Sequence, residues 1–481
     1  MKILFVSAEV APFAKTGGLG DVSAALPKAL SLQGHDVRVV LPCYRRVWEQ
    51  GHEARKVLGP IPVDLGGRRY FFETLEAKLP GSDVPVYLVH CPALYDRPGI
   101  YAQGDDEHVR FALLCWAALR IAQHLAFSPD IVHANDWQTA LLPLMVRRVF
   151  GWDRLFARTR SVLTIHNIGH QGTFPASVLS DIGLERDAAG FHHEELAAGR
   201  LSFLLTGILY ANAITTVSPT YAREIQREPN GVGLEPFLRA RRDVLFGILN
   251  GIDDDTWNPS RDPLLPLRYD ADSVTEGKAV NKRALCDAMR LPYRPGTPLL
   301  GIVSRLVWQK GFDLCHEALI AALRQRDLQI VVLGGGEPRY EKLFSDLARW
   351  LPERVAFKNA FSEPLAHLIE AGSDLFLMPS RYEPCGLNQL YSLGYGTPPI
   401  VHKTGGLADT VHLYDRATGR GNGFVFDHFT VAGLKWALSY ALDVFHDEPA
   451  WRQLQQNGMA EHHAWTRRVV DYERIYRAVW P

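Results

Sequence analysis

Two copies of one lysine–glycine motif carry the clearest potential for chemistry in this sequence. The first reads KTGGLGD (Lys15–Asp21) and the second reads KTGGLAD (Lys403–Asp409). Each copy follows an apolar, β-branched run and precedes a helical pattern, which predicts a glycine turn between a strand and a helix. Free N–H groups at a helix N-terminus bind anions, and a neighbouring lysine adds a mobile charge. The motifs therefore predict two similar α/β halves that bind a shared anionic ligand.

A further pair of cations lies in SRLVWQKG (Ser304–Gly311). Arg305 leaves the end of a predicted strand, and Lys310 precedes a helical pattern. Two cations on one strand-end loop can neutralise a phosphate or diphosphate. A solvated surface loop explains the same residues, because charged side chains are common on protein surfaces. The motif alone leaves both explanations open.

A carboxylate lies close to a predicted helix start in SRYEPCGLNQLYSLGYG (Ser380–Gly396). Glu383 precedes Pro384, and the helix is expected to begin at Gly386. The N–H groups of Gly386 and Leu387 would then hold phosphate oxygens, with Glu383 facing a hydroxyl-rich group beside them. A carboxylate that only stabilises the helix N-terminus explains the pattern equally well.

Polar residues follow two more predicted strands. In HANDWQTALLP, Asp136 is well suited to be a helix N-cap, which is the simpler interpretation of this acid. In TIHNIGHQGTFP, His166 and Asn167 lie at a strand end. The histidines lack the spacing of a helical metal site, so no metal is expected.

Several common classes of site have no support in the sequence. The glycine motifs are not G-x-G-x-x-G, and no P-loop or G-x-S-x-G motif occurs, so dinucleotide, P-loop and serine-hydrolase sites are not predicted. An Asp-x-Asp spacing at Asp253–Asp255 follows an Asn-Gly turn, and turn stabilisation explains it better than metal binding.

Composition and charge restrict the class of protein. The chain has 481 residues, enough for two or three domains, and a formal net charge of -1, which gives no indication of general nucleic-acid or membrane binding. The six cysteines form no C-x-x-C pair, and no uncharged apolar run is long enough to span a membrane. A cytoplasmic protein without disulfides is expected.

Strand and helix patterns alternate along both halves, which predicts two doubly wound parallel α/β domains. Predicted strands cover 2–8, 36–41, 84–90, 131–134, 161–166, 213–217, 299–304, 329–334, 355–358, 375–379, 399–402 and 423–426. Predicted helices cover 21–32, 107–124, 137–149, 313–324, 340–351, 364–372, 386–395 and 431–445, and residues 448–481 are also expected to be helical. Ligands are expected at the carboxyl ends of the strands, where the unusual loops fall.

Taken together, these loops resemble one family closely. The motifs KTGGLGDV, HANDWQ, IHNIGHQGTFP, GILNGIDDDTWNP, SRLVWQKG, PSRYEPCGLNQLYSLGYGTPPIV and KTGGLADTV are similar, in order and spacing, to those of bacterial glycogen synthases and plant starch synthases. The resemblance runs nearly from end to end. It implies a GT-B fold, in which two Rossmann-like domains face a deep cleft. The N-terminal domain would be 1–250, with a C-terminal helix 456–481 packed back onto it, and the nucleotide-sugar-binding domain would be 251–455.

The resemblance also implies a reaction. The chain would transfer glucose from ADP-glucose to the non-reducing 4-hydroxyl of an α-1,4-glucan, with retention of configuration, and without a metal or other cofactor. Two alternatives stay open, namely a glucan-binding or regulatory relative with weak elongation activity, and a related enzyme with another donor, such as UDP-glucose, or a small acceptor. Donor and glucan are the expected partners; nucleic acid and membrane are not, and the oligomeric state is left open.

Roles for individual positions follow from the family's motifs. The resemblance implies that cations bind the donor diphosphate, that Glu383 contacts the transferred glucose without acting as a nucleophile, and that His166 holds the sugar. The implied catalytic residues are Lys15, His166, Arg305, Lys310 and Glu383. The implied substrate-binding residues are Gly17, Gly18, Asp136, Asn250, Phe361, Cys385, Gly386, Leu387, Thr404, Gly405 and Gly406, with Phe361 stacking on the nucleotide base.

Three features depart from the family pattern. Leu205 stands where a lysine is usual, which is explained either by repacking of a helix or by an altered activity. Phe361 replaces a tyrosine of some relatives, a change that stacking should tolerate because only the ring face is needed. Gly169 and His170 replace a more usual Ala-Tyr pair and would reshape the sugar pocket.

Overall fold

The chain divides into two compact units in the computed structural model, which describes residues 1–101 and 104–480. The first unit comprises Met1–Gly251 together with Trp465–Pro481, and the second comprises Ile252–Ala464. The sequence predicted that the first unit consists of residues 1–250 and 456–481. In the structure its first segment ends at Gly251 and its second segment begins at Trp465.

The first unit is built on a nine-stranded sheet in the order β11-β10-β7-β6-β1-β2-β5-β4-β3. Its strands are β1 (Lys2–Val6), β2 (Asp36–Pro42), β3 (Arg55–Leu65), β4 (Arg68–Lys78), β5 (Pro85–His90), β6 (Ile131–Asn135), β7 (Arg160–Ile165), β10 (Ala213–Thr216) and β11 (Leu245–Gly247), and β8 (Thr173–Pro175) pairs separately with β9 (Arg200–Ser202). The pairs from β11 through β1 to β5 are parallel, whereas β4 pairs antiparallel with both β5 and β3.

Helices cover this sheet and join its parallel strands. They are α1 (Gly18–Leu32), α2 (Arg45–Glu49), α3 (Pro92–Tyr95), α4 (Glu107–His124), α5 (Leu142–Leu144), α6 (His193–Ala197), α7 (Phe203–Tyr210), α8 (Pro219–Glu224) and α9 (Glu235–Ala240), with α18 (Trp465–Val479) returning at the end of the chain. The central strands β1 and β6 are almost wholly buried, as expected for parallel strands with both faces covered.

The second unit has a six-stranded sheet in the order β14-β13-β12-β15-β16-β17, with all pairs parallel. Its strands are β12 (Leu299–Val303), β13 (Gln329–Leu333), β14 (Val355–Lys358), β15 (Leu375–Met378), β16 (Pro399–His402) and β17 (Phe424–Phe426). Its helices are α10 (Val274–Met289), α11 (Cys315–Gln325), α12 (Pro338–Trp350), α13 (Glu363–Gly372), α14 (Asn388–Gly394), α15 (Gly405–Thr410), α16 (Val431–Phe445) and α17 (Glu448–Met459). Apolar clusters lie on both faces of the sheet.

Several elements were not predicted, and three of these differences have a clear physical reason. The β3–β4 hairpin was not expected, because Gly59 and Pro60 interrupt β3 and pairing shifts register there; such residues are tolerated in a strand at the sheet edge. The predicted helix 137–149 is broken into a 3₁₀ turn, the short α5 and a π turn, and Pro143 lies at the start of α5, where its missing N–H is tolerated. Helix α10 escaped notice because its buried face includes polar residues such as Lys278 and Asn281.

The C-terminal helix α18 is anchored to the sheet of the first unit by a buried hydrogen-bond chain. The Tyr476 hydroxyl lies 2.6 Å from His133 Nδ1, and His133 Nε2 lies 2.6 Å from Thr164 Oγ1. Thr164 in turn contacts the Thr215 hydroxyl at 2.6 Å. The chain runs from α18 across the neighbouring strands β6, β7 and β10. Within the described residues, no helix is both long and apolar enough to cross a membrane.

Removal of the Tyr476 hydroxyl tests this anchor. Tyr476→Phe leaves the buried His133 Nδ1 without its partner, so the free energy of unfolding of the first unit should fall by about 1–3 kcal/mol. Differential scanning calorimetry of the full chain measures the change. Tyr210→Phe is the control, since Tyr210 is partly exposed and its hydroxyl forms no hydrogen bond with the described residues. Equal transitions for the two variants would contradict the anchor.

Burial of His133 also predicts an acid-labile first unit. Burial, together with the smaller effect of the neighbouring His166, lowers the pKa of His133 to about 3. The unfolded chain takes up a proton near the ordinary histidine pKa of about 6.5, so stability is lost as the pH falls from about 6.5 towards 3. Calorimetry between pH 7 and 4 should show this loss, and His133→Asn should reduce its slope. An unchanged slope in the variant would contradict the assignment.

Candidate functional site

The first lysine–glycine motif forms the turn that leads into α1. The helix begins at Gly18, three residues earlier than predicted, and its N-cap is Gly17, which has no side-chain hydrogen bond to offer. The first amides of the helix thus lie within the motif itself. Lys15 Nζ forms an ion pair with Asp21 Oδ1 at 2.6 Å, and both side chains are about one-third exposed.

The Glu9 side chain fixes this turn by hydrogen bonds, although the sequence did not indicate a role for this residue. Its buried carboxylate accepts hydrogen bonds from Thr16 N at 2.6 Å, from Thr16 Oγ1 at 2.7 Å and from Gly17 N at 3.3 Å. The Tyr101 hydroxyl donates to the same carboxylate at 2.6 Å. The sequence signal that could have identified Glu9 is a single acidic residue between apolar residues, three positions after the end of β1.

Asp136 does not cap the helical turn that follows it, so the simpler interpretation of this acid is wrong. Asp136 has a φ of +56°, and its carboxylate makes no capping bond. Its Oδ1 instead accepts hydrogen bonds from His166 N at 2.6 Å and Asn167 N at 3.3 Å, across to the end of β7. Burial raises the pKa of Asp136 to about 7, although the hydrogen bonds from the His166 and Asn167 N–H groups oppose this shift.

His166 is a buried, neutral histidine at the end of β7. Its Nε2 lies 3.0 Å from Asn135 Oδ1, and burial lowers its pKa to about 3. A neutral imidazole is suited to hydrogen bonding with a hydroxyl group. Asp136 and His166 therefore lie together, at the carboxyl ends of the neighbouring strands β6 and β7.

The remaining expected positions of the first unit have contrasting environments. Asn250 is buried, and its Oδ1 has no hydrogen-bond partner among the described residues. Leu205 is buried in α7, which agrees with its interpretation as a helix-packing residue. Gly169 and His170 are exposed, so a change at these two positions alters a surface loop.

In the second unit, Lys310 and Glu383 are directly paired. Lys310 Nζ lies 2.6 Å from Glu383 Oε2, and the Ser380 hydroxyl donates to the same oxygen at 2.8 Å. Glu383 is buried, and Oε1 has no hydrogen bond to any described residue. Gly311 follows Lys310 with a φ of +73°, and a Cβ there would overlap the Pro379 carbonyl oxygen. The turn after Lys310 thus depends on a glycine.

The second lysine–glycine motif packs against the backbone of the Glu383 loop. Gly406 N donates to Glu383 O at 3.0 Å. A Cβ at Gly405 would overlap the Glu383 carbonyl oxygen, and one at Gly406 would overlap the Cys385 carbonyl oxygen. Thr404 is the N-cap of α15, which begins at Gly405. The motif therefore shapes the Glu383 loop.

The helix after Glu383 begins later than predicted. Gly386 has a φ of +74° and lies before the helix, Leu387 is the N-cap, and α14 starts at Asn388. The expectation that Gly386 opens the helix is wrong, because its left-handed backbone conformation is not helical. Cys385 is buried beside the pair of glycines.

Two predicted ligand-binding residues of this unit have solvent-exposed side chains. Arg305 is exposed and makes no ion pair with any described residue. Phe361 is 85% exposed, at the end of the loop before α13. Both side chains are therefore available to a ligand.

Arg381 was missed by the sequence analysis and connects the loops around Lys310 and Glu383. Its guanidinium lies between the rings of Trp308 and Phe429, 4.4 Å and 4.3 Å from their centroids, and donates to Asp313 Oδ2 at 2.9 Å. Its backbone N–H also donates to Gln309 O at 2.9 Å. A planar cation between two rings holds its neighbours in one arrangement.

Comparison with protein families matches both units. Residues 2–240 match the model described as the starch synthase catalytic domain, and residues 290–459 match the model described as glycosyl transferases group 1. The chain is similar to a glycogen synthase of Anaeromyxobacter dehalogenans strain 2CP-1, with 47% identity over 100% of both chains. It is also similar to a glycogen synthase of Bacillus cereus, with 41% identity over 100% of both chains.

A solved structure gives the same result. The catalytic domain of starch synthase IV from Arabidopsis thaliana, bound to ADP and acarbose, superimposes with a TM-score of 0.92 and 33% identity, covering 99% of each chain. Relatives at this identity over their whole length establish both the architecture and the class of reaction. The chain belongs to the glycogen and starch synthase family, and it is a glycosyltransferase with the GT-B fold.

Proposed function

We propose that this glycosyltransferase moves glucose from ADP-glucose to the non-reducing 4-hydroxyl of an α-1,4-glucan, with retention of configuration. The observation that carries the proposal is the Lys310–Glu383 pair. The close packing of Gly405 and Gly406 against the Glu383 loop holds this carboxylate in place. A fixed cation next to a carboxylate matches a substrate with a diphosphate on one side and sugar hydroxyls on the other. The similar starch synthase IV catalytic domain was solved with ADP and acarbose bound, which supports an adenine nucleotide donor for this chain.

The charge that develops on the leaving diphosphate explains why the site needs cations. When the glucosyl–phosphate bond breaks, negative charge grows on the diphosphate, and preorganised cations lower the energy of that transition state. We assign this role to Arg305, Lys310 and Lys15. The proposed reaction includes no metal ion, since side-chain cations supply the neutralisation.

Glu383 is assigned to the sugar rather than to nucleophilic attack. Its Oε2 is occupied by Lys310 and Ser380, whereas Oε1 makes no hydrogen bond to the described residues. The Oε1 atom is thus available to accept a hydrogen bond from a sugar hydroxyl, and the charge stabilises positive character at the anomeric carbon. His166, neutral and buried, is suited to a hydroxyl of the same sugar.

Substitution of the charged residues tests the site. Lys15→Ala, Arg305→Ala and Glu383→Ala should each lower kcat by about 100-fold or more, because each removes charge stabilisation that is strongest in the transition state. The measurement is transfer of radiolabelled glucose from ADP-glucose to glycogen. Lys28→Ala and Arg324→Ala, on α1 and α11, are matched controls and should keep wild-type turnover. Near-normal turnover in all three site variants would reject the assignment.

The donor is tested by comparing kcat/KM for ADP-glucose and UDP-glucose with glycogen as acceptor, and ADP-glucose should be preferred. Phe361→Ala should raise the donor KM by about 5-fold to 100-fold, because a base–ring stack contributes about 1–3 kcal/mol. Phe361→Tyr should behave like the wild type. Trp350→Ala, another exposed aromatic residue of this unit, is the control. Retained glycogen without incorporated glucose would instead favour a glucan-binding relative.

A further inference from the structure

We infer that Glu9 is a positioning residue for the reaction, which sets the geometry of the Lys15–Gly18 turn through its buried carboxylate. The inference rests on the proposed function, in which Lys15 stabilises the leaving diphosphate. Glu9 itself does not contact the substrate. It acts through the backbone of the turn.

The Glu9 carboxylate is fully engaged in hydrogen bonds to two separate segments. Oε2 accepts from Thr16 N at 2.6 Å and Gly17 N at 3.3 Å, and Oε1 accepts from Thr16 Oγ1 at 2.7 Å and Tyr101 OH at 2.6 Å. The side chain is buried, with 3% of the residue exposed. Charged acceptors form the stronger class of hydrogen bond, and burial strengthens them further.

Among the described residues, only Glu9 accepts from the Thr16 and Gly17 N–H groups. Backbone bonds hold the flanking residues, since Val10 and Ala14 exchange two at 2.9 Å and Ala11 N donates to Gly20 O at 3.0 Å. Gly17 itself is free of steric neighbours, so its backbone has wide conformational freedom. The Lys15–Asp21 pair and the bond from Arg46 to Lys15 O are at least partly exposed and screened by water. Glu9 is therefore the buried side chain that restricts the path of the turn from Lys15 to the start of α1.

The same carboxylate connects the turn with the strand end that carries Asp136. Tyr101, bound to Glu9, accepts a hydrogen bond from Gln138 Nε2 at 3.0 Å. Gln138 lies in the turn that directly follows Asp136. Because Gln138 donates to the Tyr101 hydroxyl, that hydroxyl is free to donate its own proton to Glu9, and this bond helps to fix the carboxylate beside the turn.

Glu9→Gln is the sharpest test because it keeps the size of the side chain. An amide has one acceptor oxygen, which is weaker than a carboxylate oxygen. If this oxygen faces the Thr16 and Gly17 N–H groups, the Thr16 and Tyr101 hydroxyls must rotate to accept from the NH₂ group, and both N–H groups keep only a weaker acceptor. If the amide is reversed, the NH₂ group faces the two N–H groups. We expect kcat to fall by about 10-fold or more, while the donor KM changes by less than about threefold. Glu235→Gln is the matched control, since Glu235 is also buried and accepts from Gly233 N at 3.2 Å. Equal kcat values for the two variants would overturn the inference.

A double variant separates positioning of Lys15 from a general loss of stability. If Glu9 acts through Lys15, adding Glu9→Gln to Lys15→Ala should lower kcat by less than about twofold beyond Lys15→Ala alone. A full multiplication of the two single effects would overturn the inference.

Hydrogen exchange gives a readout that does not depend on activity. The Thr16 and Gly17 amides should exchange at least about 10-fold faster in Glu9→Gln than in wild type, with unchanged exchange in β1 and in Glu235→Gln. Unchanged exchange at both amides would overturn the inference. A wild-type protein that transfers no glucose from ADP-glucose would reject the proposed function, and the exchange result would still decide whether Glu9 holds the turn.

Discussion

The close approach of two backbone segments in the second unit determines the rest of that unit's site. Gly405 and Gly406 lie so near the carbonyl groups of Glu383 and Cys385 that no side chain fits at either glycine. The hydrogen bond from Gly406 N to Glu383 O joins the same segments. Because the Glu383 backbone is fixed in this way, its carboxylate stays within reach of Lys310. The geometry of a charged pair thus depends on two residues that carry no side chain.

The two lysine–glycine motifs meet different physical requirements. In the second copy the glycines permit close packing, and Lys403 forms an exposed pair with Asp427 at 3.0 Å. In the first copy a Cβ at Gly17 would meet nothing, so packing does not require that glycine. There the buried carboxylate of Glu9 restricts the turn instead. The two copies have the same sequence pattern but different constraints: steric packing shapes the turn of the second copy, and hydrogen bonds to Glu9 fix the turn of the first copy.

The sequence predicted the parallel strands well because their apolar runs are continuous, and it located the charged strand-end loops because cations and glycines stand out there. It failed where a buried face is polar, as at Lys278 of α10, and where an edge strand contains Gly59 and Pro60. Glu9 was not predicted because a single acidic residue does not reveal that Thr16, Gly17 and the distant Tyr101 fold onto it. Arg381 was not predicted because one of its partners, Phe429, is far along the chain. Such contacts exist only after folding.

The three proposed phosphate-binding cations differ in how strongly each is already paired with an acidic side chain. Arg305 has no acidic partner among the described residues, so binding an anion costs it no existing ion pair. Lys15 shares a partly exposed pair with Asp21, which contributes at most about 1 kcal/mol and is readily exchanged for a diphosphate. Lys310 is held by Glu383, whose side chain is only 7% exposed, and separating them would leave a buried charge without a partner. A diphosphate that binds to Lys310 must therefore do so with Glu383 still in place, which keeps the carboxylate beside the sugar throughout the reaction.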